Sequence, residues 1–198
     1  MKKVNINKIS YSDLTVSEIE YALKKEKYKT NYKKVLMRIV YTLIIVASIA
    51  SLVAMIVMPV LQISGSSMNP TLHEGEIVVS IKTKNINEGD IIAFYHGNKI
   101  LVKRVIAVSR QWVNITDDGN IYIDEKLLHE PYLEKKHYGT TDITFPYQVP
   151  EESYFVLGDD RETSIDSRNT EIGTIEEENI IGKVIFKVWP IKQIGIIK

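Results

Sequence analysis

Asp90-Ile91-Ile92-Ala93-Phe94-Tyr95, the turn His96-Gly97-Asn98, and the run Lys99-Ile100-Leu101-Val102-Lys103-Arg104-Val105-Ile106-Ala107-Val108 decide the fold. Two runs rich in β-branched and aromatic residues flank a short glycine-containing turn, the pattern of a β-hairpin. The same pattern recurs on both sides. Ile77-Val78-Val79-Ser80-Ile81 reads as a buried strand. Trp112-Val113-Asn114-Ile115 and Ile121-Tyr122-Ile123 flank Asp117-Asp118-Gly119-Asn120, a second hairpin signal. Tyr154-Phe155-Val156-Leu157 reads as a strand running into Gly158, and Ile180 to Trp189 as a last strand that Pro190 ends. Residues 124–150 are polar and tyrosine-rich, and Pro131, Pro146 and Pro150 interrupt them. Repeated short strands with turn signals predict a mainly β domain.

Upstream the period changes. Ile39 to Ile63 carries no charge. It exceeds the roughly 20 residues that cross a bilayer as a helix, and Pro59 marks where such a helix frays or ends. A transmembrane signal-anchor helix is expected over 39–62, after a basic N-terminal segment over 1–38 and before a mainly β domain over 63–198. Within the first segment, Thr15-Val16-Ser17-Glu18-Ile19-Glu20 reads as a helix start capped by Thr15 or Ser17. A basic stretch, Lys24 to Arg38, comes after it. Residues 1–38 hold 10 Lys/Arg against 4 Asp/Glu. That excess predicts a cytoplasmic N-terminus and an extracytoplasmic remainder, with membrane lipid as the neighbour of the basic stretch.

Composition excludes several other classes. Lys+Arg and Asp+Glu both number 25, so nothing favours nucleic acid. There is no cysteine, and His73, His96, His129 and His137 lack metal-ligand spacing. Neither a metal nor a cofactor is expected.

Gly65-Ser66-Ser67-Met68-Asn69-Pro70-Thr71-Leu72 comes directly after the apolar segment. Serines between a glycine and a proline make a turn, which can hold a hydroxyl clear of the backbone. A serine hydroxyl needs a base to become a nucleophile. Lysine, with a reference pKa of about 10.4, becomes one when desolvation lowers that value. Lys103 sits between Leu101-Val102 and Val105-Ile106, in surroundings that suit a desolvated amine. On a strand Arg104 points to the opposite face.

Together these stretches resemble the type I signal peptidases, membrane-anchored serine proteases with a Ser-Lys dyad. Ser67-Met68-Asn69-Pro70-Thr71 matches the nucleophile motif, and Lys103-Arg104 the general-base motif. Gly89-Asp90-Ile91-Ile92 and Gly158-Asp159-Asp160-Arg161, running on to Ser164-Ile165-Asp166-Ser167-Arg168, match the other two. All four occur in family order, over roughly residues 39–190. The resemblance implies a β-rich catalytic core with a smaller β insertion, here about 109–150, and the removal of signal peptides from secreted preproteins after small residues at −1 and −3. It implies Ser67 and Lys103 as catalytic, Ser164 as orienting the lysine, and Asp166 with Arg168 as a supporting ion pair. Gly65 stands where Gram-negative members carry an oxyanion-hole serine, which leaves the N–H groups of Ser67 and Gly65 as donors. Ile63, Met68, Leu72, Leu101 and Val102 stand where members line the substrate pockets. A monomer is expected, and transient contact with the secretion translocon is compatible with the resemblance. Three other readings stay open: a cytoplasmic self-cleaving repressor protease, a noncatalytic anchored homologue binding exported peptides, and a pilus-specialised member. The apolar anchor and the fourth motif argue against the first, and the presence of both Ser67 and Lys103 argues against the second.

Overall fold

The computed structural model describes residues 15–197. The expected N-terminal segment therefore lies partly outside the described residues, through residue 14. The chain divides into two compact units, residues 1–52 and 53–198.

A single helix, α1 (Val16–Val57), runs for 42 residues, about 63 Å at roughly 1.5 Å per residue. Thr15 caps it. The Glu18 carboxylate reaches back to the Thr15 N–H at 3.1 Å and accepts from its hydroxyl at 2.8 Å, closing orphan donors at the helix start. The short surface helix and basic stretch expected before the membrane are the first turns of this one helix. Its C-terminal part is long and apolar enough to cross a membrane.

The expected end of the anchor at residue 62 needs correction. The helix stops at Val57, because Pro59 has no N–H to continue it. The next residues are extended. Val60–Gln62 forms strand β1, paired antiparallel with the strand Ile77–Ile81. The Pro59 carbonyl accepts the backbone N–H of Ser80 at 2.9 Å. The uncharged run is thus a helix succeeded by an edge strand.

The second unit is built of β-structure. After β1 come β2 (Ile77–Ile81), β3 (Ile91–His96), β4 (Lys99–Ala107), β5 (Trp112–Ile115), β6 (Ile121–Ile123), β7 (Lys126–Leu127), β8 (Tyr147–Gln148), β9 (Ser153–Leu157), β10 (Ile175–Glu176), β11 (Ile180–Trp189) and β12 (Gly195–Ile196). An eight-stranded sheet has the order β1-β2-β11-β3-β4-β9-β10, with β12 also on β11. A four-stranded sheet has the order β7-β6-β5-β8. The second sheet is made wholly from residues 112–148, within the expected insertion.

The hairpin β3–β4 is at the centre. Lys103 pairs with Ile92, and Arg104 with both Ile91 and Leu157. Strand β9 begins to pair with β4 only at Arg104, so the preceding half of β4 keeps one edge open. Phe155 on β9 joins the two sheets. It is fully buried among Ile106, Val113, Ile121 and Leu157. Its ring lies 6.5 Å from Phe145 and 5.8 Å from Tyr147. Phe155→Ala should cost about 3–5 kcal/mol, the range for removing a buried aromatic ring. Urea unfolding of the detergent-solubilised protein would show it, and a loss below about 1 kcal/mol would mean the sheets do not rely on this contact.

Candidate active site

Two apolar anchors fix the serine turn. Met68 and Leu72 are buried with Ile63, Val78 and Ile91 in one core cluster. The turn closes through Asn69 N–H to Ser66 O and Leu72 N–H to Met68 O, both 2.9 Å. Gly65 enters it at φ +82°, a left-handed conformation that suits glycine. Ser67, directly before the first anchor, is left half-buried.

Ser67 and Lys103 line the same groove, of about 270 Å³, together with Ile63, Gly65, Met68, Leu101 and Val102. Of the residues expected there, Leu72 does not reach it. Leu72 is fully buried in the core beneath the turn, because its apolar side chain serves as an anchor. A larger hollow of about 830 Å³ lies against the four-stranded sheet beside Trp112, Tyr122 and Pro146. It holds neither Ser67 nor Lys103, so the smaller groove is the candidate site.

Lys103 is 4% exposed. Its Nζ donates to Ser164 Oγ at 2.9 Å. Among the described residues no hydrogen bond joins it to Ser67. Burial pushes its pKa down to about 8, the nearby Arg168 adds to that, and Asp166, Asp159 and Asp160 oppose it. Behind Ser164 stands the expected ion pair: Arg168 Nε and Nη2 donate to the two Asp166 oxygens at 2.8 and 2.9 Å. Arg168 also donates to the carbonyls of Tyr138 and Ser164.

Gly158 holds the two halves of the site together. A Cβ on it would collide with both Ser164 Oγ and the Ser67 carbonyl oxygen. Only a residue without a side chain allows that approach. The next turn binds the serine loop directly, Asp160 N–H to Ser67 O at 3.1 Å.

Several supporting residues were not assigned roles from sequence. Arg104 is buried on the far side of β4 and grips Asp159 through two bonds of 2.9 and 2.7 Å. Thr71 also donates to Asp159, at 2.5 Å. Arg104 further donates to Gly89 O and lies 3.9 Å over the Tyr132 ring. Arg161 pairs with Glu130 at 2.6 Å. Burial, with Glu130 beside it, keeps the Tyr132 hydroxyl protonated, and it donates to Glu130 at 3.1 Å. The signal for Arg104 was present, since a cation on a buried strand needs a counter-charge. Nothing in the sequence tied Glu130 to Arg161.

The fold and the site define a class: a mainly β protein behind a long apolar helix, with a serine turn and a buried lysine opening on one groove. Residues 36–189 match the family described as signal peptidase, peptidase S26. Signal peptidase I of Bacillus amyloliquefaciens is 33% identical over 183 residues, 87% of this chain and 98% of that protein. Signal peptidase IB of Staphylococcus aureus is 35% identical over 182 residues, 81% of this chain and 93% of that protein. A crystal structure of a signal peptidase I from Enterococcus faecalis V583 is 30% identical, with a TM-score of 0.44, over 52% of this chain and 98% of that one. The chain belongs to the signal peptidase family, peptidase S26. The one helix long and apolar enough to cross a membrane among the described residues fits a single-pass membrane protein.

The lowered lysine pKa has a consequence for stability. In the unfolded chain Lys103 holds its proton up to about pH 10.4; in the folded protein it lets go near 8. The unfolded state therefore binds more protons between these values, and folding stability rises with pH through that window. Against Lys103→Met, whose side chain cannot titrate, the wild type should gain about 3 kcal/mol between pH 7 and pH 11. Urea unfolding at the two pH values checks it; parallel stabilities would mean that the amine is not desolvated.

Proposed function

We propose that this protein is a membrane-bound serine endopeptidase that removes N-terminal signal peptides from exported preproteins, with Ser67 as nucleophile and Lys103 as general base. The observation that carries this reading is the Lys103 amine, buried in the groove that Ser67 also lines, with a pKa of about 8. Neutral Lys103 takes the Ser67 proton as Oγ attacks the scissile carbonyl carbon. The tetrahedral intermediate expels the new N-terminus of the mature protein, which takes the proton from Lys103. Water, deprotonated by the neutral amine, then hydrolyses the acyl ester and releases Ser67 and the signal peptide. The hydrogen bond to Ser164 holds the lysine in place. Catalytic hydrogen bonds often tighten only around bound substrate, so a Ser67–Lys103 contact is expected in the complex.

The N–H groups of Ser67 and Gly65 are the proposed oxyanion donors. Ile63, Met68, Leu101 and Val102 give the groove shallow apolar walls, which suits small residues at −1 and −3. The excess of Lys/Arg before the apolar part of α1 supports a cytoplasmic N-terminus and an extracytoplasmic β unit.

Ser67→Ala and Lys103→Ala should each lower cleavage of a synthetic preprotein with an Ala-x-Ala site by more than about a thousandfold. Retained activity in either would refute the dyad. A folded wild type inactive on several such substrates would favour a noncatalytic or pilus-specialised homologue. The rate should also track the neutral lysine. A pKa of about 8 in the substrate-free protein leaves roughly a tenth of the amine neutral at pH 7, and kcat/KM should fall about tenfold for each pH unit further down. A flat profile between pH 5 and 8 would exclude Lys103 as the base.

The orientation has its own test. Protease added outside intact cells should digest residues 64–198 and leave the basic end of α1 protected. Protection of the β unit would reverse the topology.

A further inference from the structure

Three arginines are buried around the site, and their counter-charges come from different parts of the chain. Arg104 and Arg168 take Asp159 and Asp166, both from the 158–168 loop. Arg161 takes Glu130, which lies in the insertion between β7 and β8. The Nη2 of Arg161 is 2.6 Å from Glu130 Oε1, and both side chains are buried.

The other edge of Arg161 matters more. Its Nε donates to the Gly158 carbonyl at 3.0 Å. The Gly158 N–H donates to Asp166 Oδ2 at 3.1 Å. Gly158 is thus gripped through both its N–H and its C=O, at the one point where the Ser67 backbone and the Ser164 hydroxyl come together. Any drift of Gly158 moves one of these against the other. Ser164 in turn holds the Lys103 amine.

The bonding of Glu130 fits such a task. One oxygen serves Arg161 and the Tyr132 hydroxyl. The other is buried and has no hydrogen-bond partner among the described residues. A guanidinium held on one edge by a carboxylate is fixed in the orientation that lets its Nε reach the Gly158 carbonyl.

We propose that Glu130 is a positioning residue for the cleavage reaction: acting through Arg161, it fixes Gly158 and with it the spacing between Ser67 and the Lys103–Ser164 pair. The proposal rests on the Ser67–Lys103 reading above. The insertion then belongs to the working parts of the enzyme, although none of its residues lines the groove.

The test measures kcat and KM on a preprotein with the full-length, detergent-solubilised protein, with thermal unfolding monitored in parallel. Displacements of about 1 Å in an active site can cost about a hundredfold in rate, so Glu130→Ala should lower kcat by about tenfold or more. KM should stay within about twofold, because the groove walls are untouched. Glu130→Gln keeps an acceptor for Arg161 and should lose less, by about three- to tenfold in kcat. Arg161→Met combined with Glu130→Ala should be no worse than Arg161→Met alone. Unchanged kcat in both Glu130 variants, a loss confined to KM, or a loss matched by the unfolded fraction would overturn the proposal, as would additive effects in the double variant. If Glu130→Ala does not fold, Glu130→Gln decides: a kcat loss under threefold overturns the role, and a larger one at constant KM supports it. Ser67→Ala is run alongside. If it cleaves as well as the wild type, the dyad falls and this proposal with it. If it is inactive while the Glu130 variants match the wild type, only the positioning role falls.

Discussion

Removing one ammonium group from water is the constraint on which the site depends. Lys103 is almost wholly buried although β4 keeps one edge open beside it. Two buried acids, Asp159 and Asp166, lie close enough to hold it charged. Each is already engaged through two bonds by its own arginine. Burial outweighs their pull, which Arg168 offsets in part, and that of the half-buried Asp160. Arg104, Arg161 and Arg168 are matched by Asp159, Glu130 and Asp166, and the amine releases its proton more readily than a lysine in water.

The spacing of Ser67 and Lys103 is set by backbone. The serine turn hangs from Met68 and Leu72, and the lysine is fixed by the register of β3 and β4. These two parts meet at Gly158, where no side chain intervenes. A serine and a lysine held this way have little freedom to relax, because moving either means moving a strand or unseating a buried anchor.

The sequence carried part of this. Strands Ile77–Ile81 and Ile180–Trp189 were legible because apolar β-branched runs ended at clear breakers. The two-residue strands β7, β8, β10 and β12 were not, since so few residues hold no period. Pro59 was legible as a place for the helix to end. Strand β1 just beyond it was not, because Val60 and Leu61 are as apolar as a membrane segment and only their pairing with β2 makes them a strand. Leu72 illustrates a different limit. Lining a groove and anchoring the turn beneath it both call for an apolar residue, and only packing separates them. The link from Glu130 to Arg161 spans 31 positions and crosses from one sheet's loops to the other's, with no local pattern to announce it.

The three buried ion pairs serve placement more than stability. Pairs of this kind are weak as sources of stability, since well-packed apolar residues of similar volume often do as well or better. Their value here is directional. A guanidinium has donors in a planar fork. Arg104 uses its fork to hold Asp159 and the Gly89 carbonyl, Arg161 to hold Glu130 and the Gly158 carbonyl, and Arg168 to hold Asp166 and the Tyr138 carbonyl. Each fixes a carboxylate and a stretch of main chain at once. Apolar substitutes could fill the volume but could not place a backbone carbonyl. The arginines are therefore better understood as what keeps the serine turn and the lysine strand in register than as what keeps the protein folded.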